Sequence, residues 1–164
     1  MLHKLSPHSV RDRILRSGVQ TVLGNHDDPD PRALHGTAAR AAGLVVGGVG
    51  GSLPVGRFPF EVSESDYESL LARMGRVDVL VSHQPPYGTK CDTAYEGVHT
   101  GSHAIRGYVE RERPRLVLSG HVHESPALDH LEETTIVNPG PFFSGHFAVA
   151  ELGPDGVRAS IKTL

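Results

Sequence analysis

Short apolar runs recur along this chain, each ending in a polar turn. Val19–Leu23, Leu44–Val49, Val77–Val81, Leu116–Leu118 and Thr135–Val137 read as strands. His146–Leu152 and Val157–Lys162 read as two more, joined by a Pro154-Asp155-Gly156 turn. Between the earlier runs the spacing changes from two to 3.6. Ser9–Ser17 predicts a helix with Val10, Ile14 and Leu15 on one face, Pro7 in its first turn and Gly18 past its end. His35–Ala42, rich in alanine and closed by Gly43, predicts a short helix. Ser65, with Glu68 completing a capping box, predicts a helix over Asp66–Met74. Ser102 predicts the cap of another, running to Arg113 and broken by Pro114. Residues 52–60 and 84–100 read as loops. Helices alternate with strands early and short strands dominate late, which predicts a layered α/β or α+β domain. No linker, repeat or low-complexity tract divides the 164 residues, so they read as a single domain.

Composition narrows the class of function. A formal net charge of −3, with 16 Lys and Arg scattered along the chain, gives no basic footprint for nucleic acid. No stretch approaches the length of a bilayer span, and no secretory leader is visible. Cys91 is the single cysteine, which rules out an intrachain disulfide, suits a reducing compartment and reads as a packed thiol rather than a nucleophile. A cytoplasmic location is the expectation.

The chemistry lies at three of the strand ends: Gly24-Asn25-His26-Asp27, Ser82-His83-Gln84-Pro85-Pro86 and Gly120-His121-Val122-His123-Glu124. Strand ends of α/β sheets are where ligand sites collect. Imidazole nitrogen with an amide oxygen makes a mixed donor set for Zn, Mn, Fe, Co or Ni. If 121–123 is strand-like, His121 and His123 point the same way. His26, beside a proposed ligand and followed by Asp27, is a candidate proton donor. Any single histidine reads first as a surface or satisfied core residue, and that reading is kept for His3, His8, His35, His99, His103, His130 and His146. Asn25 alone would read as a turn former. It is the three segments together that argue for a shared metal centre.

In this order, GNHD, then SHxPP, then GHxH, the segments resemble the calcineurin-like metallophosphoesterase family. The resemblance covers nearly the whole chain. Ser82–Thr89, Cys91-Asp92, Gly101-Ser102 and Val137-Asn138-Pro139-Gly140 look like a small bacterial and archaeal branch of it. It implies a β-sandwich flanked by helices with two divalent metals at the strand ends. Asn25, His83 and His121 would bind the second metal, and His123 would belong to the first. His26 would protonate the leaving group, with Asp27 orienting it. The implied activity is hydrolysis of a small phosphomonoester or phosphodiester by a metal-activated hydroxide. Glu124 falls just beyond the motif and takes no role from it.

The family's opening D-x-H strand and the G-D strand that supplies the bridging aspartate are both absent here; Asp12, Asp28 and Asp30 do not replace them. The expectation is therefore a partial domain lacking the first one or two strands, with Met1 downstream of the natural start. Lost carboxylates predict little turnover of a chromogenic phosphodiester in Mn²⁺. The missing strands, which would be central in the sheet, predict unpaired edges able to self-associate. The competing expectation is a non-catalytic scaffold of the same fold that binds a protein partner.

Overall fold

The structure is a computed structural model that describes residues 7–164, with side chains from Val10 onward; His3 and the side chain of His8 lie outside the described residues. The first helix, α1 (Pro7–Arg16), starts at proline, whose fixed φ suits the first helical position, and carries Arg13 and Arg16 at its negative end. Arg32 ties it to the following loop by bridging Asp12 (2.8 Å) and Asp30 (2.6 Å). Its apolar face stays open, with Val10 44% and Ile14 43% exposed.

The two largest departures from the sequence reading follow α1. Val19–Leu23 is extended but forms no strand. The Thr21 carbonyl accepts from Leu34 N (2.8 Å) and the Leu23 carbonyl from Gly51 N (2.9 Å), so its bonds go to loops rather than to a ladder. The alanine-rich segment expected to be a helix is instead β1 (Thr37–Ala41), paired antiparallel with β2 (Leu44–Val49). Ala42 and Gly43 link them with φ of 50° and 82°, the two positive values of a type I′ hairpin turn. Pairing with β2 overrides the intrinsic helix preference of alanine.

The chain continues through α2 (Glu64–Met74), β3 (Val79–Ser82), α3 (His103–Glu112), β4 (Leu116–Leu118), β5 (Ala127–Leu131), β6 (Thr134–Asn138), β7 (His146–Gly153) and β8 (Gly156–Thr163). The cap of α2 is Ser63, not Ser65: its hydroxyl accepts from Asp66 N (3.1 Å) and donates to the Asp66 carboxylate (2.6 Å). Glu64 caps a different helix. Its carboxylate accepts from Ser102 Oγ (2.6 Å), His103 N (2.9 Å) and Ala104 N (2.9 Å), satisfying the free amides at the start of α3. Ser102 caps α3 as expected, and Arg113 ends it at φ 51° before Pro114.

Six strands form one uninterrupted sheet in the order β1-β2-β3-β4-β6-β5. The four central strands run parallel and the two outer ones antiparallel. β5 had no strand signal, because its Asp129 and His130 break the apolar run. On one face of the sheet Tyr67, Leu71, Ile105, Tyr108 and Val109 from α2 and α3 bury Val49, Leu80, Val117 and Ile136. On the other, Val79, Leu116 and Val137 pack under Ala148, Ala150, Leu152, Val157, Ala159 and Ile161 of the β7–β8 hairpin. The result is a layered α/β sandwich, two sheets with helices outside the larger one. Parallel strands all end on the same side, so residues after Val49, Ser82, Leu118 and Asn138 share one edge.

Candidate functional site

Two of the three motifs follow directly from those aligned ends, and the Asn25 loop meets them there. His83 leaves β3 with its N–H donated to Val49 O (3.1 Å), and its own carbonyl accepts from Gly120 N (3.2 Å). The imidazole of His83 is the hub: Nε2 lies 3.0 Å from Asn25 Oδ1 and 3.2 Å from His121 Nδ1. Asn25 and His83 are 58 residues apart, and His83 and His121 are 38 apart. A Cβ at Gly24 would stand 3.0 Å from His83 Cε1, and one at Gly120 would stand 4.0 Å from its Nδ1. Gly24 makes room for the His83 ring, beyond the tight turn that the sequence suggested, whereas a side chain at Gly120 would make only ordinary contact with it.

His121 sits at φ 66°, and Val122 N donates to Gly120 O (2.7 Å) across it. An i to i+2 bond with a positive central φ is the rare, strained form of γ-turn. Strain of this kind is of order 1–3 kcal/mol and persists where surroundings over-determine it. The turn also corrects the expectation for 121–123, which is loop and not strand. Strand alternation does not apply, so a spacing of two does not put His121 and His123 on one face. His123 is exposed, its ring edge-on to Phe143 at 5.5 Å between centroids.

The Val122 end of the turn is held by Asn138. Buried at 1% exposure, its amide donates to Val122 O (2.8 Å) and Cys91 O (3.1 Å), and its Oδ1 accepts from Gly140 N (3.0 Å). Asn138→Ala leaves two buried carbonyls unpaired and is expected to destabilise the fold by about 2 kcal/mol. It should also weaken metal binding roughly tenfold by freeing the His121 turn. Urea unfolding with an unchanged midpoint would contradict this.

His26 is exposed and rests edge-on against Phe58, 4.6 Å between centroids. The loop bearing Phe58 is itself fixed by Glu61, whose carboxylate collects four backbone N–H groups from Val55 to Phe58 at 3.1–3.2 Å. Asp27 does not reach the His26 ring. Its Oδ2 accepts from Gly24 N (3.0 Å) while its own N–H donates to Gly24 O (3.2 Å). It therefore acts by closing the turn that presents Asn25 and His26. Asn138 entered the sequence reading only within the Val137-Asn138-Pro139-Gly140 resemblance and Glu61 not at all, since each works through backbone atoms.

Burial, reinforced by the charges of His121, His123 and His26, lowers the pKa of His83 to about 3. Burial also lowers that of His121, with His123 adding to it. Both rings are neutral near pH 7. A neutral ring nitrogen offers one proton or one lone pair, and cannot satisfy an amide oxygen and a second imidazole together. One of the two contacts, at 3.0 or 3.2 Å, is therefore left without a directed proton between its atoms. A divalent cation removes that conflict, so Asn25, His83 and His121 fit a borderline metal such as Zn, Mn, Fe, Co or Ni. No carboxylate joins them: among the described residues, no three His, Cys, Asp or Glu side chains group closely enough to hold an ion.

Four of the other histidines follow their ordinary reading, whereas His146 departs from it: its Nδ1 is buried with no hydrogen-bond partner among the described residues. His35 accepts from Gly50 N (3.2 Å), His99 pairs with buried Asp92 (2.7 Å), His103 stacks on Tyr87 (3.9 Å) and His130 is exposed on β5. Cys91 is buried; its thiol donates to Ala127 O (3.4 Å), and burial pushes it up to about 12.

The model of the family described as "Metallophosphoesterase, calcineurin superfamily" matches residues 28–160. An uncharacterized protein of Methanocaldococcus jannaschii, MJ1162, is 42% identical over 66 residues, which is 38% of this chain and 30% of that protein. The chain thus spans under a third of that relative's length. One crystal structure superposes with a TM-score of 0.73 at 22% identity, over 93% of this chain and 68% of the other. The protein TT1561 of Thermus thermophilus superposes with a TM-score of 0.55 at 20% identity, over 78% and 58%. At these identities the likeness is one of fold.

Proposed function

This chain belongs to the metallophosphoesterases of the calcineurin superfamily, and from that premise we propose that it serves hydrolysis of a small phosphoester at the centre built on His83. The observation that supports this is that Asn25 Oδ1 and His121 Nδ1 lie 3.0 and 3.2 Å from His83 Nε2, from three segments far apart in sequence. A divalent ion held there would polarise a phosphoryl oxygen and lower the pKa of a water. The rest of the chemistry falls to side chains. His83 and His121, neutral through burial, keep lone pairs ready for the ion. His26 stands at the exposed rim, its ring steadied by Phe58, and gives a proton to the leaving oxygen. Asp27 holds the turn that aims it.

A second reading is a protein-binding scaffold, favoured by the lack of any carboxylate among the three converging donors. Equilibrium dialysis in Mn²⁺, followed by calorimetric titration with inorganic phosphate, separates the two. The phosphoesterase reading expects bound Mn²⁺ and phosphate affinity that disappears with chelator. A folded chain that takes up neither would sink it and leave the scaffold. Among the described residues no helix is long and apolar enough to cross a membrane. With its single cysteine a buried free thiol, we place the protein in the cytoplasm.

A further inference from the structure

Beside His121 lies a cavity of about 210 Å³ lined by Leu53, Val55, Gln84, Ala94, Thr100, His121, Val122 and Glu124. Its polar walls are already occupied. Gln84 accepts from Leu53 N (3.3 Å) and donates to Thr100 O, while Thr100 donates its N–H (3.0 Å) and hydroxyl (3.1 Å) to Asp92 O. Leu53, Val55, Ala94 and Val122 therefore give the space an apolar character. One charged group faces it: Glu124, exposed, with no hydrogen-bond or ion-pair partner among the described residues. Among those residues, no lysine or arginine lines the cavity to balance that carboxylate.

We propose that this cavity receives the alcohol portion of the phosphoester, and that Glu124 selects a compact apolar group that is cationic or neutral over one that is anionic. The proposal rests on the phosphoesterase reading, because His121 is shared between the cavity and the proposed metal centre. Size agrees: cavities of about 150 Å³ take up benzene, so this one suits a phenyl ring or a trimethylammonium group. Charge agrees as well. A second anionic group brought within a few ångströms of an uncompensated carboxylate is disfavoured about tenfold or more, and a cation is favoured in the same measure. A nucleotide bearing further phosphates is thereby a poor occupant, and an aryl or aminoalkyl phosphoester a good one.

The test uses the whole chain in Mn²⁺, titrated calorimetrically with inorganic phosphate, phenyl phosphate, phosphocholine and 3-phosphoglycerate. Phenyl phosphate, through burial of its ring, and phosphocholine, through its cation, should bind roughly tenfold tighter than inorganic phosphate, and 3-phosphoglycerate no tighter. In Glu124→Gln the preference for phosphocholine over 3-phosphoglycerate should shrink about tenfold, and in Glu124→Lys it should reverse. Ala94→Leu, which fills the space, should remove the advantage of phenyl phosphate over inorganic phosphate. Phosphate binding with equal affinity for all three esters, or with the ratio untouched in Glu124→Gln, overturns this assignment while sparing the centre. Failure of inorganic phosphate to bind overturns both.

Discussion

His83→Ala strips the protein of metal. Bound Mn²⁺ after dialysis should fall at least ~100-fold, since replacing even an outer partner of a metal ligand costs 10–100-fold. The size of the effect follows from position. His83 Nε2 is the atom that touches both other donors, so its removal leaves Asn25 and His121 as an isolated amide and an isolated imidazole. Loss of the ring also leaves the Oδ1 of Asn25, a residue only 4% exposed, without its partner. That change should lower stability by about 1–3 kcal/mol, which keeps the chain folded enough for elemental analysis. His130→Ala is the control, because that residue lies exposed on β5. Equal metal stoichiometry in His83→Ala and the parent protein would remove His83 from the donor set.

In metal-free buffer the protein loses stability steeply as pH falls below about 6.5, the ordinary histidine value. Burial lowers His83 to about 3 and holds His121 and His35 down as well, with Arg73 contributing at His35. Each depressed histidine remains neutral in the folded chain and takes up a proton on unfolding. The unfolded state therefore binds more protons, and acid favours it. The stabilisation is complete above pH 6.5 and disappears through the interval down to about 3, where His83 itself protonates. His83 alone gives a limiting slope of about 1.4 kcal/mol per pH unit, and His121 and His35 add to it in the same direction. Glu61 is held low by its four backbone N–H groups and Asp30 by the Arg32 guanidinium; both add to the loss only near pH 4 and below, where unfolded carboxylates protonate. The limb between about 6.5 and 4.5 thus isolates the histidines. Urea titrations across that range should show it, and His83→Gln should take away about one proton's share. A stability curve level from about pH 7 to 4.5 would contradict the buried, neutral state of this centre.

Local order in the sequence located most of the fold. Leu44–Val49 and Leu116–Leu118 form strands over the residues their apolar runs marked, and Ser102 caps α3 at the residue expected. These features are set by contacts within a few residues, where apolar period and capping chemistry act. The two largest failures were matters of strand pairing, which the composition of a single segment does not report. Thr37–Ala41 had every local reason to be a helix, and became a strand because β2 lay across a two-residue turn. Val19–Leu23 had the apolar run of a strand and formed none, since no described strand runs beside it.

Residue type and order were enough to identify three histidine-bearing turns and to group them, because donor chemistry belongs to a side chain wherever it lies. Which donors meet was decided in three dimensions. Four parallel strands ending on one side bring His83 to His121 and Asn25, whereas a positive φ at His121 turns its neighbour His123 toward Phe143. Spacing of two residues carries no direction outside regular structure, so sequence alone had no means of separating that pair. Direction is fixed by backbone dihedrals, and here the turn at His121 is held by Asn138, which binds Val122 O from elsewhere in the chain.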